Sequence, residues 1–111
     1  MNRTYRLAKN RDFQRVYRRG KSCGTHLMAL VWCRAPRGEL KFGFSASKKI
    51  GNAVTRNRAR RRMRECVRLR IDHIRPGYHL IFIARRPIVD AEYKSIEKCT
   101  EKLLAQAKLW I

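Results

Sequence analysis

Residues 40–84 read LKFGFSASKKIGNAVTRNRARRRMRECVRLRIDHIRPGYHLIFIA, and this stretch decides the fold. Its first part, Leu40 to Ser45, and its last, Tyr78 to Ala84, are short apolar runs rich in aromatic or β-branched side chains, which is strand composition. Between them Asn52 through Ile74 contains no proline, and Ala59, Met63, Cys66, Val67, Ile71 and Ile74 recur at three- and four-residue steps. That spacing predicts one helix, about 33 Å long at a rise of about 1.5 Å per residue. Arg75-Pro76-Gly77 stops it. Strand, helix and strand in this order predict a parallel crossover, with the nearly all-apolar Tyr78 strand at the sheet's centre.

Upstream, Leu27 to Cys33 (LMALVWC) is a third apolar run, and Pro36 to Gly38 supplies a turn before Leu40. These two runs read as antiparallel strands. Met28, Leu30 and Trp32 face one way, Leu27, Ala29 and Val31 the other, so both faces of the sheet are expected to be covered. Farther upstream, Asn10 to Arg19 reads as a helix with Asn10 as its cap, Asp12 at its positive end and Gly20 as a left-handed stop; Phe13, Val16 and Tyr17 share one face. Downstream from Asp90, Tyr93, Ile96, Leu103, Leu104 and Ala107 form a helical stripe. Lys94, Glu97, Lys98, Glu101 and Lys102 lie opposite, which reads as a solvated structural helix.

The chain has 111 residues, with 28 Lys+Arg against 8 Asp+Glu and a formal net charge of +20. One domain, residues 1–111, is the expectation, because compact domains commonly run about 100–150 residues. A hydrophobic fraction of 44% allows a packed core, so the charge does not mark a disordered chain. Such a surplus repels itself in the compact state and calls for a polyanionic partner, nucleic acid first. By segment the net charge is +7 for 1–22, +2 for 23–47, +9 for 48–70, +2 for 71–87 and 0 for 88–111. Without repeats or Gly/Ser/Pro linkers, these blocks read as faces of one domain. No apolar run approaches the ~18 residues of a membrane span, and the opening MNRTYRLAKNRDF lacks a signal-peptide core. No membrane association and a cytoplasmic location are expected. Cys23, Cys33, Cys66 and Cys99 show no CxxC pair and no histidine at zinc spacing, so no metal site is expected. Cys33 and Cys66 lie in apolar-periodic segments and read as buried thiols.

The chemistry is concentrated in residues 48–70, which carry ten basic side chains and one Glu. If the apolar stripe of the long helix faces the core, Arg56, Asn57, Arg60, Arg61, Arg64 and Arg68 project from the other side as a cationic ridge. A basic run is ordinarily just a solvated helix face. At this density it opposes the helix by a few tenths of a kcal/mol per like-charged pair, which phosphates would relieve. Guanidinium offers phosphate a bidentate fork and a base a flat surface, so arginine-rich composition favours nucleic acid. Lys48, Lys49, Gly51 and Asn52 fall in the strand-to-helix loop, where a helix N-terminus favours an anion, although KKIGN lacks P-loop spacing. A protein nuclease would need clustered carboxylates or a placed histidine. The acids are few and scattered; His26, His73 and His79 lie in or beside predicted elements and read as packing or surface residues, so no catalytic residue is expected.

The run Lys48-Lys49-x-Gly51-Asn52-Ala53-Val54-x-Arg56-Asn57-Arg58-x-x-Arg61-x-x-Arg64-Glu65 resembles the signature of the protein subunit of bacterial ribonuclease P. RLAKNRDFQRVYRRG at the start, LKFGFSASKK, FIARRP and a final helix extend the resemblance over nearly the whole chain. It implies an α+β sandwich: a mixed sheet of about four strands, three helices and a left-handed βαβ crossover, where general sterics favour the right hand in about 98% of cases. It further implies a catalytic RNA subunit that performs the hydrolysis with its own Mg2+, and a protein that binds no cofactor and has no obligate protein partner. Lys48, Lys49, Asn52, Arg56, Asn57, Arg58, Arg60, Arg61 and Arg64 would face that RNA. Phe13 and Tyr17 would meet the unpaired 5′ leader of precursor tRNA in a cleft between the first helix and the sheet, with Ser22, Ala29, Val31 and Arg86 as further candidates for its wall. On the residues alone, Phe13 and Tyr17 read first as core packing. Tyr17 stands where the family usually has Phe, and Arg62 where an apolar residue is expected, its stem packing while its head snorkels. The rival reading is a ribosomal-type structural RNA-binding protein or an RNA chaperone. A cationic membrane-surface protein would need an exposed apolar helix face, which the ridge helix needs for the core.

Overall fold

The computed structural model describes residues 1–111. In chain order the elements are α1 (Asn10–Arg19), β1 (Lys21–Gly24), β2 (Met28–Arg34), β3 (Lys41–Ser45), α2 (Ala53–Arg68), β4 (Tyr78–Ala84) and α3 (Tyr93–Gln106), joined by short 3-10 turns. The sheet order is β1-β2-β4-β3. β1 pairs with β2 and β2 with β4 antiparallel, whereas β3 and β4 run parallel across the α2 crossover.

β4 is buried along almost its whole length and lies inside the sheet, as its two apolar faces demand. That placement corrects one expectation. β2 and β3 run antiparallel but do not pair, because β4 lies between them and takes every residue of β2 from Met28↔Ala84 to Arg34↔Tyr78. β1 was not legible as a strand: it is four residues at the sheet's edge, and only Cys23 turns inward, where its thiol donates to the Leu103 carbonyl at 3.7 Å. Edge strands tolerate such polarity.

The helix boundaries shift for identifiable reasons. α2 stops at Arg68 rather than Ile74. The Arg70 guanidinium turns back to donate to the Cys66 carbonyl at 2.9 Å and reaches Glu97 at 2.9 Å and Glu101 at 3.0 Å on α3. It thereby satisfies a helix-end carbonyl and clasps α2 to α3, so two acids of the last helix are structural partners rather than solvated charges. Asn10 is the first residue of α1, not its cap, and Gly20 has φ −76°, not a left-handed value. Glycine is needed at position 20 for closeness: a Cβ there would meet the Val31 side chain at 2.8 Å and the Trp32 carbonyl at 2.9 Å.

Two layers of helix enclose the sheet. α2 and α3 cover one face, with Met63, Cys66, Ile96 and Leu103 against Leu30, Leu80 and Phe82 in a core of 21 buried residues. α1 covers the other, where Val16 joins Leu7 and Ile81 in a cluster of three flanked by half-buried Phe13, Val31, Cys33 and Ile83.

Candidate nucleic-acid interface

The turn that launches α2 is fixed by two residues. Gly51 has φ 151°, a value that favours glycine, and Asn52 caps the helix by accepting the Thr55 amide at 2.9 Å. Lys48 and Lys49 are thereby left exposed just ahead of the helix N-terminus. Asn52 is exposed in this turn, and its side-chain oxygen already serves the cap.

The arginines of α2 and the turn after it divide into two sets. Arg58, Arg61 and Arg64 are exposed, and no carboxylate lies within ion-pair distance. Arg60 is half-buried and is steadied by the side-chain oxygen of Asn57 and, at 3.4 Å, by the Ala46 carbonyl. Arg56 is half-buried too, and its Nε is enclosed without a partner. Arg62, Arg68 and Arg70 are already engaged. Arg62 donates to the carbonyls of Ile88 at 3.4 Å and Ala91 at 2.6 Å, so its head does not snorkel as expected but ties α2 to the segment before α3. Burial, then the like charge of Arg58, hold its guanidinium below its ordinary pKa. Arg68 grips Glu65 through two bonds of 2.9 and 2.5 Å, which draw the Glu65 carboxyl below its usual range and remove Arg68 from the free ridge. The bare charge therefore gathers on the N-terminal three turns of α2.

The second surface lies on the α1 side of the sheet. Ser22, Val31, Ile81 and Gly43 form one cross-strand row, and Gly24, Ala29, Ile83 and Ser45 the next. α1 roofs the first row: the Phe13 ring lies on Gly43, where a Cβ would meet it at 2.6 Å. The second row has no helix over it, and Ala29, Ile83 and Ser45 stay half-buried. Tyr17 is 47% exposed, its ring centroid 6.5 Å from that of Phe13. Phe13 is thus part core and part cleft, while Tyr17 is cleft.

Ser22 is exposed at the edge, beside Val31 in register. Arg86 is not a wall of this cleft: its guanidinium donates to the Lys49 carbonyl at 3.2 Å and so joins the end of β4 to the ridge loop. The cleft's cation is Arg85, which donates to the Thr25 carbonyl at 2.6 Å and lies over Gly24. Sequence reasoning missed Arg85 and Ile83, although period-two alternation from Ile81 puts both on the α1 face.

On the other flank of α1 from the open row, His79 is 1% exposed. Arg15 Nη2 lies 2.5 Å from its Nδ1 and Glu39 Oε1 2.8 Å from its Nε2. Arginine can only donate, so Nδ1 accepts and Nε2–H donates to Glu39. Arg15 also donates to the Cys33 thiol at 3.1 Å and the Arg34 carbonyl at 3.2 Å, anchoring α1 to the sheet. His79 is a packing residue, but with an acidic partner 40 positions away that sequence proximity could not show. His26 and His73 are exposed, the latter stacked on Trp110. No group of three or more His, Cys, Asp or Glu side chains comes together. The four cysteines are free; Cys66 and Cys99 are buried, Cys23 and Cys33 partly so, and burial pushes the Cys23 and Cys66 thiols above their usual pKa. No helix is long and apolar enough to cross a membrane.

Fold and site together define a small basic α+β RNA-binding protein without a catalytic constellation of its own. The profile of the ribonuclease P family matches residues 1–108. The ribonuclease P protein component of Clostridium botulinum (strain Loch Maree) is 42% identical over 106 residues, covering 95% of this chain and 96% of its own. That of Clostridioides difficile is 40% identical over 111 residues, covering 99% and 97%. The structure of the Staphylococcus aureus RNase P protein superposes with a TM-score of 0.87 at 36% identity, over 96% of this chain and 98% of that one. The Thermotoga maritima protein, at 23% identity, shares the fold with a TM-score of 0.82. The chain belongs to the ribonuclease P family: it is a protein component of that endoribonuclease, associates with its RNA subunit, and leaves the chemistry to the RNA. A ribosomal-type structural protein or RNA chaperone is not favoured.

Proposed function

We propose that Lys48, Lys49, Asn52, Arg56, Asn57, Arg58, Arg60, Arg61 and Arg64 hold the RNA subunit, and that the cleft of Phe13, Tyr17, Ala29 and Val31, with Ser22 at its rim, receives the 5′ leader of precursor tRNA. The observation that carries this reading is the junction of the two surfaces: Arg85 lies over Gly24 in the cleft, and its neighbour Arg86 donates to the Lys49 carbonyl, so the cleft side of the sheet adjoins the bare end of the ridge. Stacking on Phe13 and Tyr17 tolerates any base, which suits a binder of many leaders, and is worth about 1–3 kcal/mol per base. This chain's residues do not fit a magnesium site, since no carboxylates cluster. The metal of the reaction is assigned to the RNA, the work to the cytoplasm, and no protein partner is required.

The test is cleavage of a precursor tRNA at low magnesium by a bacterial ribonuclease P RNA, with and without this protein, using leaders of graded length. Strong stimulation that grows with leader length is expected, with no cleavage by protein alone. Stimulation indifferent to leader length would sink the cleft assignment.

A further inference from the structure

At the edge of β3 the N-terminal segment runs beside the strand, bridged in parallel at Arg6 and Phe42, and leaves a recess of about 570 Å³ against α2. That lies within the range of small-molecule sites, about 300–1,000 Å³. We propose that this recess seats one unstacked nucleotide, its phosphate among guanidinium groups and its base against phenylalanine rings. The proposal stands apart from the reading of ridge and leader cleft, although it shares Arg60, Arg64 and Phe13 with them.

Four arginines line the recess, Arg3 and Arg6 from the N-terminal segment and Arg60 and Arg64 from α2, and no carboxylate does. The first pair is held in place by backbone. The Leu7 amide donates to the Phe42 carbonyl at 2.9 Å, Arg6 bridges to Phe42, Tyr5 packs its ring 6.3 Å from that of Phe42, and Asn2 caps the turn by accepting the Thr4 amide at 3.0 Å. Of the second pair, Arg64 sits over the Phe44 ring at 5.6 Å, and Phe44 stacks on Phe82 at 5.9 Å with 15° between planes. Its head is therefore positioned before any ligand arrives, which lowers the entropic cost of binding.

The chemistry of the walls selects the ligand. Inorganic phosphate would neutralise the arginines but leave the half-buried rings of Phe13 and Phe44 wet, and an uncharged ring would leave four cations facing one another. A nucleotide supplies both halves, as guanidinium and aromatic surfaces bind phosphate and base. Gly43 sets the shape: a Cβ would meet the Phe13 ring at 2.6 and 2.7 Å and force that wall to move. The nucleotide can be free or a splayed residue of an RNA strand, and the two sources are separable.

The experiment is an NMR titration of the full chain, 15N-labelled and at constant ionic strength, with AMP, adenosine, inorganic phosphate and the trinucleotide pApApA in turn. AMP should shift the amides of Arg6, Leu7, Gly43 and Phe44 and bind about tenfold tighter than adenosine, which lacks the charge-assisted hydrogen bonds, and about tenfold tighter than phosphate, which lacks the stacked base. R6A should weaken AMP by about the same factor. A trinucleotide that binds tighter than AMP at these amides identifies an RNA residue as the occupant; equal affinity identifies a free nucleotide. G43A should weaken AMP as well, and if it fails to fold, R6A, which alters an exposed side chain, still decides. Equal affinity for AMP and phosphate, or shifts confined to the outer face of α2 at Arg58 and Arg61, would overturn the proposal.

Discussion

On one face of the sheet α2 and α3 close over 21 buried residues, whereas on the other α1 alone covers a cluster of three and leaves Ala29, Ile83 and Ser45 half-buried. The same two strands, β2 and β4, supply both faces through alternate side chains, so the difference is not one of strand composition. It comes from what the chain lays on top. Two helices with complete apolar stripes seal the first face, and Arg70 clasps them together through Glu97 and Glu101. One ten-residue helix, with Val16 as its only buried side chain, spans part of the second. Most of the buried apolar surface lies on the closed face, and part of the open one stays uncovered.

Substitution tests that contrast most directly. Phe82→Ala on the closed face should cost about 3–5 kcal/mol in denaturant-induced unfolding, as removal of a fully buried ring does. Ile83→Ala, one residue along on the open face, should cost clearly less. Equal losses would mean that α1 seals its face after all. At the next level down, Tyr17→Ala should leave stability within about 0.5 kcal/mol yet weaken precursor tRNA binding by about 1–3 kcal/mol, the value of one stacked base. Phe13→Ala should lower both, because its ring also lies on Gly43.

Much of the closed face was legible in sequence because helical and strand periodicities report burial directly. The stripe Ala59, Met63, Cys66, Val67 and the YHLIFIA run both landed in the core. What stayed hidden was decided between segments distant in the chain. Pairing of β2 with β4 rather than β3 depends on which strand wins the centre, and the end of α2 depends on Arg70 finding two acids some 30 positions away. The ridge was legible as composition but not as a division of labour. Nothing local in Arg61 and Arg68 says that one is bare and the other held by Glu65. That distinction gives a third test. Arg61→Ala should reduce the slope of log affinity for the RNA subunit against log salt by about one, and Arg68→Ala should barely change it. Equal changes would mean that the Glu65 pair opens when RNA binds.

The smallest effect belongs to a polar atom sealed on the closed side. The Tyr93 hydroxyl is enclosed without a hydrogen-bond partner beside the Cys66 thiol, and burial first, then that thiol, push its pKa up to about 12 from an ordinary value near 10. The folded chain therefore holds this proton more tightly than the unfolded chain does. Its contribution to stability is complete below pH 10 and is lost as pH rises from there toward 12. Tyr93→Phe removes both the titration and the unsatisfied hydroxyl while keeping the ring. At neutral pH the variant should gain about 1 kcal/mol, since a buried polar group without a partner is costly, and above pH 10 its unfolding free energy should fall less steeply than that of the parent. Every other side chain is the same in both proteins, so the difference between the two curves isolates Tyr93. A loss of stability at neutral pH would show instead that the hydroxyl is bonded to Cys66 and helps to close this face.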